Sequence, residues 1–187
     1  MLSVGFDLYC SLLDESIREF QNEKVDKKDP PIVDINITAY IPDEWVGNQD
    51  QKMIEYKRLA DVESLRELEF IQEEWKDRFG EIPIEVQRLI KIIKIRLIAA
   101  QIGINLVRES EDTIRIFTDY ELSEWKKYQI KLPQTLSRKL KIIKAPISSQ
   151  NGASIILLNN TGLLVEEQLN ILEELFCCIS DINKLSI

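Results

Sequence analysis

The fold is decided by residues 75–104, WKDRFGEIPIEVQRLIKIIKIRLIAAQIGI, which read as the end of one helix, a stop and a second, strongly apolar helix. Gly80 follows the last apolar position of the first helix, and glycine tolerates the left-handed conformation that closes many helices. Pro83 restarts the chain, because proline fits a first helical turn, where no backbone donor is needed. Apolar residues then occupy two faces of the second helix until Gly103. A helix that is apolar on two faces is predicted to be buried between two layers and to form the spine of the fold.

The segments before this stretch carry clear local signals. Ser64 and Glu67 have the spacing of a capping box, in which each side chain satisfies a backbone donor at the start of a helix. That helix and the apolar one are expected to form an antiparallel helical hairpin. Trp45 lies in a predicted loop, where it is expected to cover an edge of the core. The patterns predict a strand at residues 32–38, a loop at 39–50 and helices at 51–60 and 64–79.

After the apolar helix the pattern changes to short strands and amphipathic helices. Asn151 and Gly152 form a favourable turn dipeptide between two of the strands, and Ser123 is the expected N-cap of a helix. The periodicities predict strands at residues 104–107, 113–118, 142–147 and 154–158. They predict helices at residues 122–132 and 164–183, and a short helix between these that follows Pro133 and ends at about residue 140. Helices and strands do not alternate strictly, so the predicted class is α+β. It comprises a helical hairpin and a C-terminal helix packed on a small, mainly antiparallel sheet.

The first 31 residues are predicted to stand apart from this main domain. Residues 1–21 form an amphipathic helix with Phe6, Tyr9 and Leu13 on its apolar face, and residues 22–31 form a charged linker that ends in two prolines. The main domain is expected to span residues 32–187. An apolar face on an appended helix would favour non-native self-association with a second copy of the chain.

The residue types present argue against an enzyme. The chain has no histidine, which removes the commonest general base and the commonest metal ligand. It also has no phosphate-binding loop, no GxSxG and no CxxC, so neither a cofactor nor a metal site is expected. Cys10, Cys177 and Cys178 are interpreted as packed thiols in a reducing, cytoplasmic setting. No apolar run is long enough to span a membrane, and no signal peptide is recognisable.

Charge gives a weaker signal. The net charge of −8 disfavours nucleic-acid binding by the surface as a whole. Two basic groups remain as local candidates, and each is interpreted as a solvated face or a contact for an acidic protein. One group lies on the apolar helix and the other after it: Arg88, Lys91 and Lys94; Lys126, Lys127, Arg138, Lys139, Lys141 and Lys144. Composition and pattern therefore favour an interaction or regulatory module.

Two stretches resemble the bacterial transcription-repair coupling factors. Residues 4–17, VGFDLYCSLLDESI, are similar to the segment that follows the last helicase motifs of that family. Residues 41–104 resemble its C-terminal domain, the TRCF domain, in the order and spacing of their motifs. The matching positions are YKRLA at residues 56–60, DRFG at 77–80, and Pro83, Leu89, Arg96 and Gly103-Ile104.

The resemblance implies a regulatory role. Members are ATP-driven DNA translocases that remove stalled RNA polymerase and recruit excision repair, and the helicase motifs are missing here. The TRCF domain of the family packs on the N-terminal domain, masks the site for the damage-recognition ATPase and restrains the motor. Residues 32–187 would be this regulatory domain, and residues 1–21 the end of the translocase module. The alternative is an independent protein–protein interaction module, and a nucleic-acid-binding domain is less favoured.

Five residues are the candidate interaction surface: Tyr56, Lys57, Arg58, Asp77 and Arg78. They lie in the motifs that carry the resemblance, and they are polar. A purely architectural role is the alternative, in which Asp77 and Arg78 tie the end of one helix to the segment from Tyr56 to Arg58.

Overall fold

A computed structural model describes residues 30–146 and 152–185 of the chain. The helix predicted within residues 1–21 and most of the predicted linker lie outside the described residues. The elements, numbered in chain order, are β1 (Ile32–Asp34), α1 (Asp43–Val46), α2 (Gln49–Ala60), α3 (Leu65–Phe79), α4 (Ile84–Gln101), β2 (Ile104–Ser110), β3 (Thr113–Thr118), α5 (Leu122–Lys131), α6 (Gln134–Ser137), β4 (Leu140–Lys144), β5 (Ser154–Asn159) and α7 (Val165–Lys184).

The five strands form one sheet in the order β1-β2-β3-β5-β4. The β1–β2 pair is parallel, and the other three pairs are antiparallel. Val107 pairs with Ile116, which in turn pairs with Ile156, so the three central strands align fully buried apolar residues. The predicted α+β class and the mainly antiparallel sheet are confirmed.

The described chain divides into two compact units, and the division falls within α4. The first unit contains residues 37–93. Its core is built from α2, α3 and the first half of α4, whose apolar faces are almost completely buried. The apolar residues with 1% exposure or less are Ile41, Leu59, Leu68, Trp75, Val86, Leu89 and Ile93.

The second unit contains residues 30–36 and 94–185. It holds the sheet, the end of α4, and helices α5 to α7. Leu172, Leu175 and Phe176 are fully buried on α7, and Trp125 is fully buried on α5. The apolar face predicted for the last helix is therefore its buried face.

Local signals account for most of the element ends. Gly80 has a φ of 82°, and its N–H donates to the Lys76 carbonyl, which closes α3 as predicted. The Ser64 hydroxyl accepts a hydrogen bond from the Glu67 N–H. The Glu67 carboxylate accepts from the N–H of Glu63 at 2.9 Å, one residue earlier than a regular capping box would place it.

Some predicted bounds differ from the structure. Strand β1 ends at Asp34, four residues before the predicted end, and β4 covers residues 140–144 in place of 142–147. The predicted loop at 39–50 contains helix α1. The N-cap of α5 is Glu121 rather than Ser123, because the Glu121 N–H donates to the carboxylate of Glu124 at 2.8 Å.

Candidate functional site

Helices α2 and α3 are joined by a network of charged side chains centred on Glu55. This carboxylate is fully buried. Its Oε2 accepts from Trp75 Nε1 at 2.8 Å and from Arg58 Nη1 at 2.9 Å. Its Oε1 accepts from Gln51 Nε2 at 2.5 Å and from Arg78 Nη1 at 3.4 Å. Four donors therefore compensate a buried charge that would otherwise strongly destabilise the fold.

Glu74 is the second carboxylate of the network. Both of its oxygens accept from Arg58, with Nη1–Oε1 at 3.0 Å and Nη2–Oε2 at 2.6 Å. Arg78 Nη1 donates to Oε1 of Glu74 at 2.8 Å. The hydrogen bonds from Arg58 and then Arg78 lower the pKa of Glu74 to about 2, and the hydrogen bond to Glu74 raises the pKa of Arg58. Two guanidinium groups and two carboxylates thus form one ion-pair cluster between the helices.

An aromatic cluster lies beside the ion pairs. Trp45 of α1 meets Trp75 edge-on, with ring centroids 5.5 Å apart, and lies 5.2 Å from the ring of Phe79. The Arg78 guanidinium stands 4.8 Å above the Phe79 ring, a distance at which a cation is attracted to an aromatic face. Trp45 packs against the edge of this core, as its position in the sequence predicted.

The five predicted surface residues divide into two groups. Tyr56 is buried, and its hydroxyl accepts from the Ile41 N–H at 2.9 Å. Arg58 and Arg78 belong to the ion-pair cluster. Lys57 and Asp77 are exposed, and their side chains make no hydrogen bond or ion pair with any residue that the structure describes. Tyr56, Arg58 and Arg78 thus make contacts inside the domain, although their partners are Ile41, Glu55 and Glu74 and not the predicted tie from Asp77 and Arg78 to the segment from Tyr56 to Arg58. Lys57 and Asp77 stay candidates for contact with another surface.

Glu55 and Glu74 belong to the ion-pair cluster but were not predicted from the sequence. The spacing of Glu55 and Arg58 (i, i+3) and that of Glu74 and Arg78 (i, i+4) place each pair on one helical face. This spacing could have suggested two ion pairs. The contacts between the helices, across 16 to 23 residues, have no such local signal.

The outward side of α2 carries apolar side chains that are about half exposed to solvent. Met53 and Ile54 are 50% and 52% exposed, and Lys57 lies one turn further along the same side. We call Met53, Ile54 and Lys57 the α2 outer face. At the end of α2, an open cleft of about 490 Å³ runs past Val62 to Phe70, whose side chain is 65% exposed. Exposed apolar residues with polar residues around them are typical of a protein-contact surface.

Metal ligands, long apolar helices and the two cysteines are the remaining features of the described part of the chain. Residues 30–146 and 152–185 contain no group of three or more acidic or cysteine side chains placed to hold a metal ion. None of the helices in these ranges is both long and apolar enough to cross a membrane. Burial raises the pKa of the Cys177 and Cys178 thiols, which disfavours the reactive thiolate form.

Comparison with known proteins identifies relatives of this chain. A family model described as the TRCF domain matches residues 35–128, about half of the chain. The transcription-repair-coupling factor of Staphylococcus haemolyticus (strain JCSC1435) is 33% identical over 144 residues, which cover 75% of this chain and 12% of that protein. The transcription-repair-coupling factor of Staphylococcus aureus (strain USA300) is 31% identical over 188 residues, which cover 98% of this chain and 15% of that protein.

A solved structure has the same fold. It is described as the crystal structure of the C-terminal domain of transcription-repair coupling factor. It superposes with a TM-score of 0.69 at 22% identity and covers 84% of this chain and 97% of the other. The chain thus spans nearly all of that solved domain but a small fraction of the full-length relatives.

Proposed function

The chain belongs to the TRCF domain family, and from that premise we propose that it is the regulatory domain of an ATP-dependent DNA translocase that couples transcription to nucleotide excision repair. In this proposal the domain packs on the N-terminal domain of the longer protein. It masks the site for the damage-recognition ATPase until RNA polymerase is engaged. The motor lies elsewhere in the longer protein, and the whole acts in the cytoplasm.

The α2 outer face is the observation that supports this role. Met53 and Ile54 are about half exposed, while the opposite side of the same helix is fixed to α3 through Glu55 and Arg58. A surface on a rigid helix loses little conformational entropy when a partner binds. Exposed Met53 and Ile54 supply apolar area, and Lys57 supplies a charge that can select an acidic neighbour.

The energy that such masking needs is small. Lowering the affinity of a partner tenfold to a hundredfold corresponds to a coupling free energy of about 1.4–2.8 kcal/mol. Interfaces between domains of one chain are often modest and polar, and they can open. A few exposed side chains on one helix are sufficient for coupling of this size.

The decisive experiment compares the full-length factor with and without this domain. Affinity for the damage-recognition ATPase is measured by surface plasmon resonance, and deletion is expected to raise it by about 10- to 100-fold. Unchanged affinity after deletion would refute masking. It would leave an independent interaction module as the better description, and pull-down with the isolated chain would then identify its partner.

A pair of point variants tests the surface separately. Ile54→Ser combined with Lys57→Glu in the full-length factor is expected to raise that affinity about tenfold, because it removes apolar contact and reverses a charge. Ile130→Ser is the matched control, since Ile130 is also an exposed isoleucine but lies on α5. If deletion raises the affinity and the double variant does not, masking is retained and the α2 outer face is the wrong surface.

A further inference from the structure

The acidic chain contains one strongly basic segment. Residues 122–146 include seven lysines or arginines and one glutamate, although the whole chain carries a net charge of −8. All seven cationic side chains are exposed. We call this set the basic edge: Lys126, Lys127, Lys131, Arg138, Lys139, Lys141 and Lys144.

The fold brings the basic edge together. Helix α5 carries three of its cations and packs against β4, which carries two more. Arg138 and Lys139 connect these elements, directly after α6. Strand β4 is an edge strand of the sheet, with β5 as its neighbour on one side.

None of these seven side chains forms a hydrogen bond or an ion pair with another residue in the described ranges. The other basic group identified in the sequence behaves differently. Arg88 donates to the Thr38 carbonyl at 3.3 Å, and Lys94 forms an ion pair with Glu173 at 2.7 Å. That group serves the architecture, whereas the charge of the basic edge is not compensated within the described residues.

Protection of a sheet edge explains only part of this pattern. Lysines on a terminal strand discourage other strands from pairing with it, and Lys141 and Lys144 fit that role. The cations of α5 and of the connection lie outside any strand, so edge protection gives no reason for Lys126, Lys131 or Arg138. A separate cause is needed for a cationic surface that extends over a helix, a turn and a strand.

The composition of the basic edge fits phosphates better than it fits a protein. Protein interfaces are depleted in lysine and enriched in aromatic residues and arginine, whereas six of these seven residues are lysines. Of the two aromatic residues of α5, Trp125 is fully buried, and Tyr128 is half-buried with its hydroxyl bonded to Asn183. Ile130 is exposed among the lysines, but a single exposed apolar residue is ordinary at a protein surface.

The absence of exposed aromatic residues on the basic edge also separates two kinds of nucleic acid. Proteins that bind single strands stack the bases on aromatic side chains. Contacts from lysines to phosphates position a duplex and carry no sequence information. A ten-residue helix is about 15 Å long, and duplex DNA presents about one phosphate per 1.7 Å of its axis. Several cations of α5 can therefore meet phosphates at once.

We propose that the basic edge binds the phosphate backbone of double-stranded DNA without reading its sequence. The net charge of the chain is negative and therefore argued against DNA binding. That value is a sum over the whole chain and does not show that one segment is strongly positive. This inference does not require the regulatory function proposed above, since it concerns residues on other elements than the α2 outer face.

The test measures fluorescence anisotropy of a labelled 30-base-pair duplex titrated with the whole 187-residue chain. Four phosphate contacts predict a slope of log affinity against log salt of about −3.6, and so a loss of about 150-fold between 50 and 200 mM salt. A second duplex of unrelated sequence is expected to bind equally well. No saturable binding at 50 mM salt would overturn the proposal.

Charge reversal localises the binding. Lys126→Glu, Lys131→Glu and Lys141→Glu together are expected to weaken binding at least 30-fold at 50 mM salt. The matched control reverses Lys57, Arg66 and Lys76 of the first unit, which are also exposed, and should change the affinity less than about threefold. Equal losses in both variants would show a net-charge effect and would refute the assignment to the basic edge.

Two further measurements complete the test. Thermal unfolding establishes that both variants fold, and Lys126→Gln with Lys131→Gln is a milder substitute that should still weaken binding at least fivefold. Competition with polyglutamate distinguishes the partner: the duplex is expected to remain bound at an equal concentration of charge. Equal competition would indicate an acidic protein as the partner and would reject DNA.

Discussion

Arg58 on α2 donates two hydrogen bonds, of 3.0 and 2.6 Å, to the carboxylate of Glu74 on α3. The same guanidinium donates to the buried carboxylate of Glu55 at 2.9 Å. One side chain thus joins both acidic groups of the cluster. Since Arg58 lies in the YKRLA motif, part of the motif that carries the family resemblance holds two helices together.

Glu55→Ala is expected to destabilise the chain by about 3–5 kcal/mol. The substitution leaves the indole N–H of Trp75 without its acceptor and two arginines short of one negative charge. Urea unfolding followed by tryptophan fluorescence measures the change. Glu73→Ala is the control, because Glu73 is exposed on the same helix as Trp75 and should cost less than about 0.5 kcal/mol. Similar losses in both variants would contradict a structural role for the buried carboxylate.

Glu74 is expected to make the free energy of unfolding depend on pH in the acidic range. Its pKa is lowered from 4.5 to about 2, first by Arg58 and then by Arg78. The unfolded state therefore binds the proton more readily, so the contribution of Glu74 is complete above pH 4.5 and is lost as the pH falls towards 2. We expect a loss of roughly 1–2 kcal/mol after allowing for solvent screening.

The measurement for Glu74 is urea unfolding at a series of pH values from 6 to 3. Glu74→Gln should be less stable than the parent at pH 6, and the difference should shrink as the pH falls. Glu73→Gln should follow the parent throughout. A constant difference across the series would mean that titration of Glu74 is not the cause.

Gly152 allows a close approach that no other residue permits. Its φ is 139°, and a Cβ atom there would lie 2.3 Å from the carbonyl oxygen of Thr118. The next residue donates its N–H to that same oxygen at 2.8 Å, which fixes the two backbones together. Gly152→Ala should therefore cost about 2–4 kcal/mol in thermal or urea unfolding.

Gly162→Ala is the matched control for that substitution. Gly162 also has a positive φ, of 73°, but its Cβ would meet no atom within 4 Å. It should cost only the backbone strain, about 1–2 kcal/mol. If both variants lose the same stability, steric contact with Thr118 contributes nothing.

Tyr128 should ionise only at high pH. Burial, followed by the interaction with Tyr120, raises its pKa from 10.0 to about 12. Its hydroxyl donates to Oδ1 of Asn183 on α7, whose Nδ2 donates to the Tyr120 hydroxyl at 3.1 Å. The raised pKa means that stability from this group is present below pH 10 and is lost between pH 10 and 12.

Absorbance at 295 nm during an alkaline titration checks this prediction. Tyr128→Phe should remove a component that titrates near pH 12. Tyr40→Phe is the control, because Tyr40 is 42% exposed. Loss of a component near pH 10 from the Tyr128 variant would show that the hydroxyl is not buried against Asn183.

What the sequence predicted depends on how far apart the responsible residues lie. Gly80 and Pro83 act on their own backbone, so the stop and restart between α3 and α4 could be recognised directly. The apolar rows of α4 follow from helical periodicity and are buried as predicted. The N-cap of α5 was predicted wrongly at Ser123. Glu121 and Glu124, which are three residues apart, are joined by a hydrogen bond that places the N-cap at Glu121.

The ion-pair cluster could not be predicted in full, for a physical reason. Glu55 is separated from Trp75 by 20 residues and from Arg78 by 23. Whether a carboxylate is buried or solvated depends on the neighbour that folding brings to it, and an acidic residue on a helix is usually exposed. The five residues chosen from the sequence therefore included both arginines and neither carboxylate.

The equality of charges in the cluster has a consequence for how its sequence can vary. Glu55, Arg58, Glu74 and Arg78 supply two negative and two positive groups, and loss of any one leaves an unbalanced charge beside a buried core. Simultaneous exchange for apolar side chains avoids that penalty. Among related chains these four positions should therefore covary as a set, and a chain that has lost one arginine should also lack one of the carboxylates.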